Sequence, residues 1–234
     1  MIVILSLPSI PGKIHQLFEE HGIVVKVEKG SYIFREGERA ENLFFVVNGS
    51  IQICKETESG KELTIRICSK NTIIGESTLY CKLNYHSTTA KTLEHCTLIG
   101  LHVNTLEMLL NENPSTLVDY LKWVQMENLK NQTRIRDLVL NGKKGALFST
   151  LIRLANTYGE YKNEKEIFIN LSLTNTEVAN LCGTSREMIN RMLNDLKKHQ
   201  IISFDKGYIT ILDLQFLKNS IDCENCPLSI CRLD

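Results

Sequence analysis

Three cysteines lie close together at the C-terminal end of the chain. Cys223, Cys226 and Cys231 follow the pattern C-x₂-C-x₄-C. At this spacing three thiolates can converge on one metal centre, because thiolates are soft ligands that suit both zinc and iron–sulfur clusters. The spacing does not choose between zinc and iron, and a chance clustering in a frayed terminus is a third interpretation. The pattern therefore predicts a metal centre without naming the metal.

A second chemical feature lies in residues 173–193, where two helix starts occur only ten residues apart. Thr174 with Glu177, and Thr184 with Glu187, each match a capping box, in which two side chains satisfy backbone N–H groups at a helix start. A small residue and a glycine between them permit a close crossing and a sharp turn. This arrangement predicts a helix-turn-helix. The apolar residues that we expect on its inner side are Val178, Leu181, Ile189, Met192 and Leu193.

Polar residues near the start of the second helix then remain on its outer side. Arg186 and Arg191 can each offer a bidentate fork to guanine, and Glu187 can accept a hydrogen bond from a cytosine amino group. The alternative is a solvated charged face, but residues 134–206 hold 12 Lys and Arg against 8 Asp and Glu, which suits phosphate contacts. The predicted DNA-contacting set is Thr174, Thr184, Ser185, Arg186, Glu187, Asn190 and Arg191.

The elements that must position these residues begin with a β-rich region between Ile23 and Val103. Its short runs of Val, Ile, Phe and Thr are interrupted by glycines, which predicts a small antiparallel β-roll or sandwich. Turn residues predict one hairpin at Asn48-Gly49-Ser50 and another at Ser59-Gly60.

A long helix is expected next, because Thr105–Leu140 contains no glycine and only one proline, Pro114. Its apolar spacing resembles a coiled-coil seam and predicts a homodimer interface. Asn141-Gly142 should end the helix, and residues 143–145 should form a short polar joint. The predicted seam consists of Leu117, Leu121, Val124, Asn128, Ile135 and Leu138.

After the joint, Leu147, Leu151, Leu154, Ala155 and Tyr158 line one face of a predicted helix, with Gly159 as its C-cap. A short strand at 168–171 and a hairpin formed by 201–204 and 208–212 complete a winged helix. The predicted fold is α+β, in which an antiparallel β-roll precedes a dimerisation helix and a winged helix-turn-helix. The predicted domains are 1–103, 104–140, 141–219 and a cysteine-rich tail, 220–234.

Composition sets the broad class of the protein. The length of 234 residues fits two modest domains, and 27 basic residues cancel 27 acidic ones, so any basic footprint must be local. The apolar N-terminus is interrupted by Pro8 and Pro11, which argues against a signal peptide or a membrane span. Eight cysteines without an export signal favour a reducing compartment, and we expect the cytoplasm. The six histidines show no catalytic or metal-binding grouping, so we do not expect an enzyme.

Taken together, these residues and their order resemble the CRP/FNR superfamily of transcription regulators from end to end. The resemblance implies a jelly roll like that of cyclic-nucleotide-binding domains, base-reading roles for Arg186, Glu187 and Arg191, and RNA polymerase as a further partner. Arg186 resembles the arginine of CRP-like proteins that read TGTGA half-sites. FNR proteins that read TTGAT carry an apolar residue there, and Asn190 replaces their serine.

The resemblance also bears on the signal that the protein senses. Gly75-Glu76 matches the phosphate-binding turn of the family, but no arginine follows it before Ala90, where only Lys82 and His86 could act as cations. Neither forms the planar fork that grips a phosphate, so we expect no cyclic nucleotide.

The tail resembles the Gram-positive branch of FNR, which senses oxygen and controls anaerobic genes. That likeness implies a [4Fe–4S] cluster on Cys223, Cys226 and Cys231. It also implies Asp137 of the long helix as the fourth ligand. An ordinary helix charge remains the alternative for Asp137, because Arg134 and Arg136 are its neighbours. Structural zinc remains the alternative to iron.

Overall fold

The computed structural model describes residues 10–75, 79–80, 85–163 and 165–234. The chain divides into one unit formed mainly by Pro8–Met126 and another formed mainly by Glu127–Leu233.

In its described residues the first unit contains eight strands, two helices and the beginning of a third, and all strand pairs are antiparallel. Two four-stranded sheets form, in the orders β1-β8-β3-β6 and β2-β7-β4-β5. The predicted antiparallel β-roll is therefore confirmed. Its elements are α1 (Gly12–His21), β1 (Ile23–Val27), β2 (Tyr32–Phe34), β3 (Asn42–Asn48), β4 (Ile51–Glu56), β5 (Glu62–Cys68), β6 (Ile73–Ile74), β7 (Thr89–Thr92) and β8 (Cys96–His102).

Apolar side chains fill the space between the two sheets, because strand residues alternate between the faces of a sheet. Ile51 and Ile53 of β4 pack in this layer with Val46 of β3 and Leu98 of β8. A second apolar cluster lies under α1, which buries Ile14 and Phe18.

The two predicted hairpins have different outcomes. Strands β4 and β5 pair across the Ser59-Gly60 turn as predicted. The prediction of a hairpin at Asn48-Gly49-Ser50 is wrong, because β3 and β4 belong to different sheets. Gly49 has φ +101°, and a Cβ there would lie 2.5 Å from the sulfur of Cys96, so this glycine lets the chain turn a tight corner between the sheets.

The long helix predicted for Thr105–Leu140 is divided in two. Helix α2 covers Val103–Glu112 and α3 covers Pro114–Leu140. Asn113 has φ −130° and ψ 84°, outside the helical region. The ring of Pro114 disfavours a helical conformation at the preceding residue, whereas proline itself is well suited to the first helical position.

The second unit has the order expected of a winged helix-turn-helix. Its four strands form one antiparallel sheet, β11-β12-β10-β9. Lys206 and Gly207 both have positive φ, which is typical of a tight hairpin turn between β11 and β12, so the predicted wing is confirmed. The elements are α4 (Gly142–Tyr158), β9 (Gly159–Tyr161), β10 (Ile167–Ile169), α5 (Asn175–Leu181), α6 (Arg186–Lys198), β11 (Ile202–Asp205), β12 (Tyr208–Ile211) and α7 (Leu214–Asn219).

The joint between α3 and α4 is shorter than predicted. Helix α3 ends at Leu140 and α4 already begins at Gly142, so residues 143–145 are helical and do not form a polar linker. Gly142 has φ +59°, a conformation that glycine adopts readily where helices end. Gly159 follows α4 as predicted, but its backbone is extended. A Cβ there would lie 2.1 Å from the carbonyl oxygen of Ala155.

Candidate DNA interface and candidate metal centre

Local hydrogen bonds fix the starts of the two helices of the helix-turn-helix. Thr174 caps α5 with the predicted capping box, since its hydroxyl accepts from the N–H of Glu177 and the Glu177 carboxylate accepts from the N–H of Thr174. The cap of α6 is Ser185, whose hydroxyl accepts from the N–H of Met188 at 3.3 Å. The second capping box, assigned to Thr184, is therefore wrong by one residue.

The two helices pack through the inner residues that the sequence predicts. Val178, Leu181, Ile189 and Leu193 are buried, whereas Met192 is only half-buried. The turn between α5 and α6 passes through Gly183, which has φ +60°. The Thr184 hydroxyl is buried and has no hydrogen-bond partner among the described residues.

The outer face of α6 is open to solvent at its N-terminal end. Arg186, Glu187, Asn190 and Arg191 are all exposed, as predicted. Hydrogen bonds from its own backbone N–H and from the Ser185 hydroxyl, together with the charge of Arg186, lower the pKa of Glu187. The carboxylate is therefore ionised at neutral pH and can accept a hydrogen bond from a base.

Sequence reasoning missed one neighbour of this face. The side-chain amide of Asn175, at the start of α5, donates to Oδ1 of Asn190 at 3.1 Å. A shallow depression there is lined by Thr174 and Asn175 of the first helix start, by Arg186, and by Lys206 at the wing tip. Two cations and the recognition helix therefore share one surface, on which phosphates and base edges can be contacted together.

The three tail cysteines follow α7 in a series of tight turns. The N–H of Cys223 donates to the carbonyl of Lys218, and the N–H of Cys231 donates to that of Pro227, both at 3.0 Å. Asp222 and Asn225 adopt positive φ, which lets the chain reverse around the first two thiols. All three cysteines are half-buried.

The last residues of the tail are attached to α4 by protein contacts alone. Asn156 donates its amide to the carbonyl of Cys231 at 2.8 Å, and the N–H of Leu233 donates to the Thr157 hydroxyl at 2.9 Å. Leu233 is also buried. The position of Cys231 is therefore set by α4.

Asp137 and the tail thiols line a single cavity of about 190 Å³. Asp137 reaches it from α3, and Cys223, Cys226 and Cys231 reach it from the tail. The four predicted ligands thus come together, although Asp137 precedes the first of these cysteines by 86 residues. Arg136 and Arg153 also line the cavity.

Asp137 is buried, and both oxygens of its carboxylate accept hydrogen bonds from protein side chains. Its Oδ2 accepts from the Ser149 hydroxyl at 2.6 Å and from Arg153 at 2.7 Å, and its Oδ1 accepts from Arg136 at 2.8 Å. Burial alone would raise the pKa of this carboxyl, but the hydrogen bonds from these three side chains outweigh it and lower the pKa. Asp137 is therefore not an ordinary solvated helix charge. Sequence reasoning missed Ser149 and Arg153, which lie on α4 without any motif.

The thiol of Cys231 is influenced by its burial and by the charged groups around the cavity. Burial raises the pKa of its thiol, Arg153 opposes that rise, and Cys226, Cys223 and Asp137 add to it. Three thiolates and a carboxylate around one cavity repel each other, so a bound cation would stabilise all four in their ionised forms.

The spacing of the thiols bears on the choice of metal. A tetrahedral zinc ion, with Zn–S of about 2.3 Å, would hold its sulfurs about 3.8 Å apart. Among the described residues, the one group of three ligand atoms within 4.8 Å of one another is Cys54, Glu56 and Glu62 on the β-roll. The sulfurs of the three tail cysteines are therefore not all within 4.8 Å of one another in this arrangement of the side chains.

The remaining described cysteines, Cys54, Cys68, Cys96 and Cys182, are buried, as expected for small apolar side chains. Burial raises the pKa of Cys54 and that of Cys182 to about 12. The carboxylates of Glu62 and Glu56 contribute at Cys54. The raised pKa values keep the thiols of Cys54 and Cys182 protonated at neutral pH. Cys81 lies outside the described residues.

The turn at Gly75-Glu76, which matches the phosphate-binding turn of the family, lies partly outside the described residues. Glu76 and Lys82 lie outside the described residues. His86 is buried, and its ring stacks on that of Phe34 with 3.8 Å between centroids, so it is not placed as an exposed cation.

Helix α3 carries an exposed stripe, with apolar residues at both ends and three polar residues in the middle, that differs in part from the predicted seam. Leu117 and Val124 are half-buried and pack against the core of the first unit, and their place in the seam stays a prediction. Leu121 and Ile135 are 57% and 62% exposed. The stripe, with its 3-4 spacing, consists of Val118, Leu121, Gln125, Asn128, Gln132, Ile135 and Val139.

Within the described chain, no helix combines the length and apolar character that crossing a bilayer requires.

Two family models match the chain. Residues 24–113 match the cyclic nucleotide-binding domain, and residues 146–220 match the Crp-like helix-turn-helix domain. These two matches cover the β-roll and the winged helix-turn-helix in turn.

Similar proteins match over nearly the full length. The anaerobic regulatory protein of Bacillus subtilis is 43% identical over 226 residues, which cover 96% of this chain and 94% of that protein. The global nitrogen regulator of a Nostoc species is 26% identical over 193 residues, which cover 81% of this chain and 85% of that protein. The solved structure of the c-di-GMP-responsive regulator CLP from Xanthomonas campestris has a TM-score of 0.71 at 21% identity. The match covers 86% of this chain and 98% of the chain of that structure.

Proposed function

Because this chain belongs to the CRP/FNR family of DNA-binding transcription regulators, we propose that it binds two-fold-symmetric operators as a homodimer and responds to oxygen or redox state through an iron–sulfur cluster. The observation that carries the sensing part is the cavity that the three tail thiols share with Asp137. The relative from B. subtilis is named an anaerobic regulatory protein, which agrees with this proposal.

The DNA-binding part rests on the exposed start of α6. Arg186 and Arg191 offer guanidinium forks, Glu187 is an ionised acceptor, and Lys206 of the wing adds a phosphate contact. This set suits a TGTGA-like half-site. Two half-sites about one helical turn apart would match a dimer.

The residues around the cavity fit a [4Fe–4S] cluster held by Cys223, Cys226, Cys231 and Asp137. The thiols supply the soft sulfur ligands that such a cluster requires. When bound, such a cluster supplies redox chemistry that the side chains themselves lack.

The same residues join the sensor to the DNA-binding unit. Asp137 lies on α3, while Arg153 and Ser149, which hold its carboxylate, lie on α4 at the start of the winged helix. Binding or loss of a cluster at the tail thiols would therefore change the contacts that hold α3 and α4 together at their junction. Any change there alters how the recognition helices are presented to an operator, because a two-fold site demands a fixed separation of the two helices.

The cluster is tested by purifying the protein without oxygen and measuring its metal content and absorption spectrum. We expect iron and sulfide in equal amounts, and a broad brown absorbance that bleaches in air. A colourless protein that holds one zinc ion per chain would contradict the iron–sulfur assignment.

The dimer is expected to depend on the exposed stripe of α3. Replacing Leu121 by Glu puts a charge at an exposed apolar position of the stripe, and desolvating an unpaired charge at an interface costs more than the burial of one leucine gains. Sizing by light scattering should therefore give a monomer for Leu121→Glu and a dimer for the wild type. Lys122→Glu, which is adjacent but exposed off the stripe, is the matched control and should remain dimeric. A dimeric Leu121→Glu protein would place the interface elsewhere.

A further inference from the structure

The two oxygens of Asp137 have different partners. Oδ2 accepts from the Ser149 hydroxyl at 2.6 Å and from Nη2 of Arg153 at 2.7 Å, and both donors belong to α4. Among the described residues, Oδ1 accepts from the neighbouring Arg136 alone, through Nε at 3.0 Å and Nη2 at 2.8 Å. A carboxylate oxygen has two lone-pair sites, so each oxygen is saturated by two hydrogen bonds. Those of Oδ2 come from two separate side chains, whereas both of those of Oδ1 come from Arg136.

The donors also differ in their freedom to move. Arg153 and Ser149 are 2% and 4% exposed, so neither can turn away without leaving a buried polar group unpaired. The side chain of Arg136 is 28% exposed, and it also reaches the exposed carboxylate of Glu224 in the tail. Arg136 can therefore leave Oδ1 and keep a partner at the surface.

From this asymmetry we propose that Asp137 binds the metal centre through Oδ1 alone. Arg153 and Ser149 are positioning residues that hold Oδ2, and Arg136 competes with the metal centre for Oδ1. The proposal rests on the cluster proposed above. Its new content is that two arginines on the same carboxylate act in opposite directions. Arg153 assembles the site, and Arg136 competes for it.

Arg153 positions a second ligand as well as Asp137. Its Nη1 donates to the carbonyl of Ile230 at 3.3 Å and to that of Arg232 at 3.5 Å, which are the residues on either side of Cys231. Its Nη2 also meets the hydroxyl of Thr133 on α3 at 3.2 Å. One guanidinium therefore connects α3, α4 and the tail. Such outer partners orient ligands, and losing one typically costs 10- to 100-fold in metal affinity.

Arg136 is placed as a competitor of the metal. Besides Oδ1 of Asp137, its guanidinium contacts the sulfur of Cys226, so one cation bridges two of the proposed ligands. A guanidinium in that position neutralises the same anionic groups that a metal centre would neutralise. For the site to be loaded, Arg136 must swing toward Glu224 and solvent.

The test compares Arg136→Ala with Ser149→Ala and Arg153→Lys during anaerobic reconstitution with ferrous iron and sulfide. The readouts are iron and sulfide per chain, the rate at which the brown absorbance grows, and its half-life in air. We expect Arg136→Ala to reach at least the wild-type iron content several-fold faster. Ser149→Ala and Arg153→Lys should bind less iron and lose it roughly tenfold faster in air.

Thermal unfolding of each metal-free variant serves as the folding control, and Ser149→Ala, which removes one oxygen atom, keeps the test decisive if Arg153→Lys unfolds. A wild-type level and lifetime of iron in Ser149→Ala would overturn the positioning role of the Oδ2 donors. Iron loss in Arg136→Ala as severe as in Ser149→Ala would overturn the competition. A wild-type protein that takes up no iron would overturn the proposed cluster itself. The wild-type reconstitution is measured separately from the variants, so this outcome is distinguishable from the other two.

Discussion

Cys226→Ser should lose operator binding under anaerobic conditions while it remains a dimer. The substitution removes one of the three thiols that line the cavity but leaves the exposed stripe of α3 and the contacts of Cys231 with α4 in place. We expect no cluster, and at least about a tenfold loss of operator affinity, which corresponds to roughly 1.4 kcal/mol. Gel-shift and sizing experiments on protein made and handled without oxygen measure both quantities.

The matched control for this result is Cys54→Ala, which removes a thiol from the β-roll and not from the tail. It should retain the cluster and bind the operator like the wild type. If Cys226→Ser binds the operator as tightly as the wild type without oxygen, the cluster does not govern DNA binding. If Asp137→Ala alone keeps a normal cluster, the fourth ligand must be sought elsewhere.

Arg186→Ala should weaken operator binding by about 1–3 kcal/mol, that is roughly 5- to 150-fold, and relax the base preference at one position of each half-site. The reason is that Arg186 is exposed at the N-terminal end of α6, where a guanidinium can bond both acceptors of a guanine. Binding to a set of operators with single base changes measures the affinity and the preference together.

Lys198→Ala is the control for Arg186, because Lys198 is an equally exposed cation at the other end of the same helix. It should change affinity little and base preference not at all. Equal weakening of Arg186→Ala on every sequence would mean that this side chain contacts phosphate only. In that case the TGTGA-like half-site would lose its main support.

Features held together by short-range contacts could be predicted from the sequence. The start of α5 follows from Thr174 and Glu177, which are three residues apart, and the wing turn follows from Lys206-Gly207 between two β-rich runs. Even here the cap of α6 was misassigned to Thr184, because Thr184 and Ser185 are adjacent and both can cap a helix. Only the backbone conformation distinguishes them.

Features that depend on contacts between distant residues could not be predicted in the same way. Local turn residues suggested a hairpin between β3 and β4, but the two strands enter different sheets, since sheet membership is decided by pairing with β8 and β7. Leu117 and Val124 were assigned to a dimer seam by spacing alone. Periodicity identifies an apolar side of a helix but not the surface that it meets.

The sequence by itself determined the DNA-binding motif and the set of candidate thiolate ligands, because a capped pair of helices and three closely spaced cysteines are local patterns. It could not determine the environment of Asp137. The family resemblance singled out this residue, but its partners Ser149 and Arg153 lie 12 and 16 residues away on another helix. Only the tertiary structure brings them to one oxygen of the carboxylate and leaves the other to Arg136. The physical reason is that a buried charge is satisfied by whichever donors the fold brings within reach, and no sequence spacing specifies them.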